Sequence, residues 1–119
     1  MICHITTQAA WDAAQGSALF LSPEFDDIGF IHCSPPEQVL MVANAYFAGR
    51  SDLVLLVIDP ARLTSPLRWE PPHWIGRLAG FTEGLLFPHV YGPINVDAVV
   101  RKVDLVPGDT GTFVMPIPA

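Results

Sequence analysis

The sequence predicts an α+β fold in a single domain, and three observations lead to that prediction. Half of the 119 residues are hydrophobic, which is enough for a substantial core. Several short apolar runs have the composition of strands, whereas few stretches repeat apolar residues at helical spacing. No linker or internal repeat divides the chain, so one domain is expected over 1–119, with a core at 1–106 and a tail at 107–119. The tail is expected to be poorly ordered or to lie over the surface.

The N-terminal part is predicted to contain one strand and one helix. Residues 1–5 are apolar and have the composition of a short strand. Thr6 or Thr7 is expected to cap a helix that stops at Gly16. The segment 17–28 mixes apolar and acidic residues and includes a Ser-Pro pair. It is therefore predicted to be a loop with at most one turn or short strand.

A Gly-Phe-Ile-His-Cys-Ser stretch at 29–34 is predicted to be a strand that leads into a helix at about 35–48. Ser34 is followed by two prolines and Glu37, which is the pattern of a capping box. Because side chains alternate along a strand, His32 and Ser34 are expected to share one face. An imidazole, a hydroxyl and a helix N-terminus would then converge on one point, where they can hold an anion or a polar ligand.

Four further strands are predicted in the second half of the chain, at 52–58, 67–70, 87–91 and 98–106. The run at 52–58 is almost continuously apolar and β-branched, as expected for a strand that is buried on both faces. Pro88 places its strand at a strand start or at a sheet edge, because proline cannot donate a ladder hydrogen bond. The irregular connection at 71–86 is long enough to be a functional loop.

Charge and composition restrict the partners of the protein. The net charge is −6, and the six basic residues form no run, so a nucleic-acid partner is not expected. No apolar run approaches the roughly 20 residues that span a bilayer, and the N-terminus lacks the pattern of a signal peptide. A cytoplasmic location without membrane contact is therefore expected. Two cysteines make no disulfide framework and are expected to be reduced and buried.

Three of the four histidines lie in apolar strand contexts, each two residues before a hydroxyl. The pairs are His4 with Thr6, His32 with Ser34, and His89 with Tyr91. Each member has an ordinary structural explanation when it is taken singly. However, burying a polar side chain costs free energy unless it is hydrogen-bonded. The recurrence of the pattern therefore predicts that the three pairs line one polar pocket in an apolar wall.

A zinc site and a nucleophilic cysteine are the alternatives for these residues. Three histidines, or two histidines with Glu70, have the ligand chemistry that zinc prefers. The chain contains no His-x-x-x-His, Cys-x-x-Cys or His-x-His spacing, so no metal is expected. Cys33 follows His32 directly and is expected on the opposite strand face, which argues against a Cys-His catalytic pair.

At these motifs the sequence resembles the bacterial domain-of-unknown-function family 952. The matching motifs are Cys-His-Ile-Thr-Thr at 3–7, the stretch at 29–34, the strand start at 52–56, Arg-Trp-Glu at 68–70, and Phe-Pro-His-Val-Tyr-Gly-Pro at 87–93. The resemblance covers roughly residues 2–105. The fold of that family is thought to be similar to that of ADP-ribosyltransferases. The resemblance therefore implies a small split, mostly antiparallel sheet with two or three helices and a cleft for NAD.

The resemblance also implies roles for the histidine pairs. The first pair would hold the NAD ribose, the second would contact the nicotinamide end, and the third would supply the position where many transferases carry a Glu. That motif contains no Glu here, so Glu70 or Glu83 is expected to supply a carboxylate. The implied catalytic residues are His32, His89 and Glu70, and the implied substrate-binding residues are His4, Thr6, Ser34 and Tyr91.

Three functions are compatible with this pattern. The first is an ADP-ribosyltransferase-like or phosphotransferase-like enzyme that acts on NAD, or on an ADP-ribose-like nucleotide, in the cleft. The second is a nucleotide-binding module that uses the same cleft without chemistry. The third, less favoured, is a zinc-dependent hydrolase or metal-binding protein. The first two share a small-molecule nucleotide partner, with NAD as substrate in the first. The sequence leaves the oligomeric state open.

Overall fold

The computed structural model describes residues 1–72 and 84–115. Within them, three α-helices accompany short antiparallel sheets, which confirms the predicted α+β class. In chain order the elements are β1 (Ile2–Thr7), α1 (Gln8–Ala14), β2 (Leu19–Phe20), α2 (Phe25–Ile28), β3 (Ile31–His32), α3 (Pro36–Tyr46), β4 (Leu53–Ile58), β5 (Leu67–Glu70), β6 (Phe87–Val90), β7 (Ile94–Asn95) and β8 (Val99–Leu105). Single 3-10 turns at Pro60–Arg62 and Val96–Ala98 precede β5 and β8.

The first sheet has the strand order β1-β4-β8, and both strand pairs are antiparallel. Every residue of β4 is buried, which confirms the prediction of a strand that is covered on both faces. On β8, Val99, Val103 and Leu105 are more buried than Lys102 and Asp104, as the alternation predicts. The register sets His4 on β1 opposite Leu56 on β4.

The second sheet has the order β3-β6-β5, again with antiparallel pairing. It meets the first sheet through a bridge between Cys3 and Ser34, whose backbone N–H and C=O groups exchange two hydrogen bonds of 2.8 Å. This bridge brings the start of β1 beside the end of β3. It therefore sets His4 next to His32, although 28 residues separate them.

Two predictions about the second sheet are wrong. Ser34 does not cap α3: the N-cap is Pro35, and no side chain caps the helix. The reason is that the backbone of Ser34 is held extended by the bridge to Cys3, so the helix begins later than the local pattern suggests. The strand predicted at 29–34 is correspondingly limited to Ile31–His32. β6 is the central strand of its sheet, and Pro88 is its second residue, so of the two positions expected for this proline the strand start is confirmed.

The predicted cap of the first helix and the predicted second helix are confirmed. Thr7 caps α1 by accepting a hydrogen bond of 3.0 Å from the backbone N–H of Ala10. The helix ends at Ala14, two residues before the expected Gly16. The helix predicted at about 35–48 is present as α3, which is shorter by one or two residues at each end.

The segment 17–28 contains more structure than was predicted, because it includes both β2 and α2. β2 pairs with β7, which the sequence did not indicate. The described part of the tail, up to residue 115, packs against the rest of the protein. Phe113 is buried, and its backbone N–H donates to Oδ1 of Asn44 at 2.7 Å. Most of the predicted irregular connection falls at 73–83, outside the described residues. No described helix is both long and apolar enough to cross a bilayer.

Candidate functional site

A cleft opens between β1, the segment 22–28 and α3. Its first chamber has a volume of about 150 Å³ and its polar lining consists of His4, Ser22, Glu24, His32 and Ser34. A second chamber of about 70 Å³ shares His4 and Glu24 with the first and adds Thr6 and Arg50. The fold thus brings both members of the first two histidine–hydroxyl pairs into one cleft.

His4 stands at the centre of this cleft because it lines both chambers. Its Nδ1 lies 2.6 Å from the backbone oxygen of His32. A carbonyl oxygen only accepts, so Nδ1 carries the proton and Nε2 of the neutral ring is an acceptor. Burial lowers the pKa of His4, because this residue is only 8% exposed. The ring is therefore neutral at physiological pH, with Nε2 ready to accept a hydrogen bond.

Within the described residues, the acceptor of His4 and three neighbouring hydroxyls have no side-chain hydrogen-bond partner. The hydroxyls belong to Thr6, Ser22 and Ser34, which are all buried residues that line the cleft. Four polar groups around one cavity form a surface that a polar ligand with several hydroxyls can satisfy.

Behind the cleft, the third predicted pair joins Glu70 in a cluster that we call the Glu70 cluster (Glu70, His89 and Tyr91). Oε1 of Glu70 lies 3.0 Å from Nδ1 of His89 and also accepts a short hydrogen bond from the Tyr91 hydroxyl. The hydrogen bond from Tyr91 has the larger effect and that from His89 the smaller, and both lower the pKa of the Glu70 carboxyl group. The bond to Glu70 in turn raises the pKa of Tyr91. Because the carboxylate only accepts, Nδ1 of His89 is the donor in this contact.

His32 connects the cleft to the Glu70 cluster. Its ring centroid lies 5.2 Å from that of His89, and Phe30 packs edge-on against His89 at 4.0 Å. The residues of the predicted pocket do not all line these two chambers. His4, Thr6, His32 and Ser34 line the cleft, whereas Glu70, His89 and Tyr91 lie outside its lining. The alternative carboxylate, Glu83, is outside the described residues.

Sequence reasoning missed Ser22 and Glu24. Both lie in the segment that was expected to be an ordinary loop, and both line the first chamber. The Ser-Pro-Glu sequence has no periodicity, and only the shared lining of the first chamber reveals that this segment lies beside β1. No local signal distinguishes Glu24 from its acidic neighbours Asp26 and Asp27.

The alternative chemistries receive no geometric support from the described residues. In 1–72 and 84–115, no three His, Cys, Asp or Glu side chains are grouped to hold a metal ion. Both cysteines are buried and free, as predicted. Burial raises the pKa of Cys3 to about 11 and raises that of Cys33 as well, so neither thiol forms the thiolate that nucleophilic attack requires.

The buried His4 should make the protein less stable in mild acid. Its pKa is lower in the folded chain than the ordinary value of 6.5, so the unfolded chain binds the proton more readily. The stabilising contribution is complete above about pH 6.5 and is lost as the pH falls below it toward the folded pKa. Urea unfolding at about pH 7.5 and about pH 5.5 should show the loss, at up to roughly 1.4 kcal/mol per pH unit for this group. This loss of stability between the two pH values should be smaller in His4→Asn. An unchanged loss would contradict the assignment of the effect to His4.

Comparisons with known proteins agree with the architecture. The model of the family "Protein of unknown function (DUF952)" matches residues 5–102. The X-ray structure of protein CC0527 from Caulobacter crescentus is 34% identical, with a TM-score of 0.80, over 95% of this chain and 92% of that chain. Its solution NMR structure is 35% identical, with a TM-score of 0.75, over 93% and 89%. No curated protein matches significantly. Since the family model covers most of the chain, the protein belongs to the DUF952 family.

Proposed function

We propose that the cleft binds the ribose of an NAD-like or ADP-ribose-like nucleotide. The observation that carries this proposal is the orientation of the His4 ring. Its ring is buried, its Nδ1 is fixed by the carbonyl oxygen of His32 at 2.6 Å, and its Nε2 is an acceptor without a described partner in the cleft. A side chain oriented in this way is ready for a ligand before the ligand arrives, which reduces the entropic cost of binding.

A ribose diol matches the remaining polar groups. Its adjacent hydroxyls each donate one hydrogen bond and accept others. One of them can donate to Nε2 of His4, while the hydroxyls of Thr6 and Ser34 can donate to or accept from the sugar and the groups beside it. Binding would then provide hydrogen-bond partners for polar groups of the cleft that have none among the described residues. A purely apolar ligand would leave all of them unsatisfied.

The resemblance to ADP-ribosyltransferases supports the same proposal. Two small antiparallel sheets meet beside the cleft, an arrangement compatible with the split sheet that the resemblance implies. The proposal includes NAD as the substrate. It also includes the cytoplasm as the location, because the two free thiols of the protein stay reduced there. The ligand class is thus a small-molecule nucleotide rather than a nucleic acid.

Turnover of the nucleotide is a second candidate function, and the Glu70 cluster favours it. In such a reaction the bond between ribose C1 and nicotinamide breaks, nicotinamide leaves with the electron pair, and an oxygen of water or another acceptor bonds to C1. The proton released by that oxygen needs a base. His32 lines the cleft and contacts His89, which is oriented by Glu70 at 3.0 Å. A carboxylate that orients an imidazole is a common arrangement for general-base chemistry.

Binding and turnover can be tested together on tag-free protein. NAD and ADP-ribose should each raise the thermal unfolding temperature, because a ligand of the folded state adds about 2.7 kcal/mol at a hundredfold excess over Kd. Nicotinamide release from NAD, lost in His32→Ala, would establish turnover. Saturable binding with intact NAD recovered would leave binding alone. The absence of a shift with either nucleotide would refute the proposal.

A further inference from the structure

We propose that Glu24 makes the first chamber selective for a positively charged ring attached to the ribose. The inference rests on the proposed function and specifies which end of the nucleotide enters this chamber. It comes from the charges and aromatic side chains of the lining. A nucleoside whose base is cationic, such as one with a pyridinium base, has the required chemistry.

Glu24 supplies the charge in the described lining of the first chamber. Among its described lining residues, Glu24 is the one carboxylate, and there is no lysine or arginine. Its side chain forms no cap for α2, and it has no ion pair or side-chain hydrogen bond among the described residues. His4 beside it is neutral because burial lowers its pKa. A phosphate in this chamber would meet repulsion, whereas a cationic group would be attracted.

Aromatic side chains complete a cation-binding environment. Phe30 and Phe47 both line the first chamber, and the face of an aromatic ring attracts cations through its quadrupole. Phe47 already makes such a contact, because the guanidinium carbon of Arg50 lies 5.8 Å from its ring centroid. A flat cationic ring can therefore be bound by aromatic contact and by the Glu24 carboxylate together. A neutral ring of the same shape would gain only the apolar contact.

The second chamber adds the one basic residue of the described lining, whereas Glu24 lines both chambers. Arg50 lines it but does not line the first chamber. Its guanidinium bonds to Asp52 at 2.7 Å, and Asp52 is outside the lining. A nucleotide whose ribose lies at His4, which both chambers share, would thus direct its phosphate toward Arg50 in the second chamber and its base into the first chamber. The chambers differ in charge by Arg50, so a phosphate meets less repulsion in the second chamber and a cationic ring more attraction in the first.

The test compares nicotinamide riboside, which is cationic, with its neutral dihydro form, which has nearly the same shape. Calorimetry on the parent should show the cationic form binding about tenfold more tightly, which corresponds to roughly 1.4 kcal/mol. Glu24→Gln keeps the size of the side chain but removes its charge, so it should abolish most of this preference. Asp27→Asn removes the same charge from α2 outside the cleft lining and should leave the preference unchanged.

Each outcome bears on a defined claim. If both forms bind the parent equally, or if Glu24→Gln keeps the preference, the role of Glu24 is refuted while ribose binding stands. If Asp27→Asn abolishes the preference as well, the effect comes from overall charge and the inference also fails. If neither form binds the parent, the proposed function is refuted together with the inference. Thermal unfolding of both variants should match that of the parent, since both side chains are exposed.

Discussion

Replacing Leu56 by alanine is expected to lower the free energy of unfolding by about 2–5 kcal/mol. Leu56 is 0% exposed and lies on β4, between β1 and β8. It belongs to the main apolar cluster, in which residues of the first sheet pack against Ile31 and Val90 of the second. Truncation therefore removes contacts that join the two sheets and leaves a cavity where neither sheet can easily close.

Urea unfolding followed by tryptophan fluorescence measures this effect. Leu21→Ala is the matched control, because it makes the same chemical change at a residue that is 45% exposed and outside the strands. Its cost should be within about 0.5 kcal/mol. Comparable losses in the two variants would show that β4 is not the central strand of a shared core.

Replacing His4 by asparagine is expected to weaken nucleotide binding by roughly tenfold to a hundredfold, which is about 1.4–2.8 kcal/mol. The amide nitrogen of asparagine takes nearly the position of Nδ1 and can still donate to the carbonyl oxygen of His32. The variant has no group at the position of Nε2, so it loses the acceptor for the ribose. The fold should consequently change less than the affinity.

His4→Gln separates a ligand contact from a structural role. A glutamine amide reaches the position of Nε2 but not that of Nδ1, so it retains an acceptor for the ligand and loses the bond to His32. If Nε2 contacts the ribose, Gln should bind ADP-ribose more tightly than Asn does, although it should be the less stable of the two. Tighter binding by Asn would mean that His4 acts only by holding His32.

Much of the fold follows from periodicity, because long elements average over many residues. The apolar run of β4 and the helical spacing of α3 were both predictable in this way. β2 and β7 contain two residues each and exist only because they pair with one another. Ser34 shows the limit of a local rule: its sequence context favours a helix cap, but the distant partner Cys3 holds its backbone extended.

Part of the lining of the cleft was predictable from the sequence, but its arrangement was not. Strand alternation correctly puts His32 and Ser34 on one side, and both line the first chamber. It says nothing about which face of one strand meets which face of another. That depends on the bridge between the sheets, which sets His4 against His32 and leaves the Glu70 cluster behind them. Glu24 comes from an irregular segment, where no periodicity indicates a direction.

The most direct test of ribose binding at His4 is NMR of the imidazole nitrogens in ¹⁵N-labelled protein during a titration with ADP-ribose. The His4 signals can be identified by their absence in His4→Asn. Before ligand, they should show the neutral tautomer protonated on Nδ1, as the contact with the carbonyl oxygen of His32 requires. On saturation, the Nε2 resonance should move in the direction of a nitrogen that accepts a hydrogen bond. Saturation that leaves Nε2 of His4 unchanged would contradict the account.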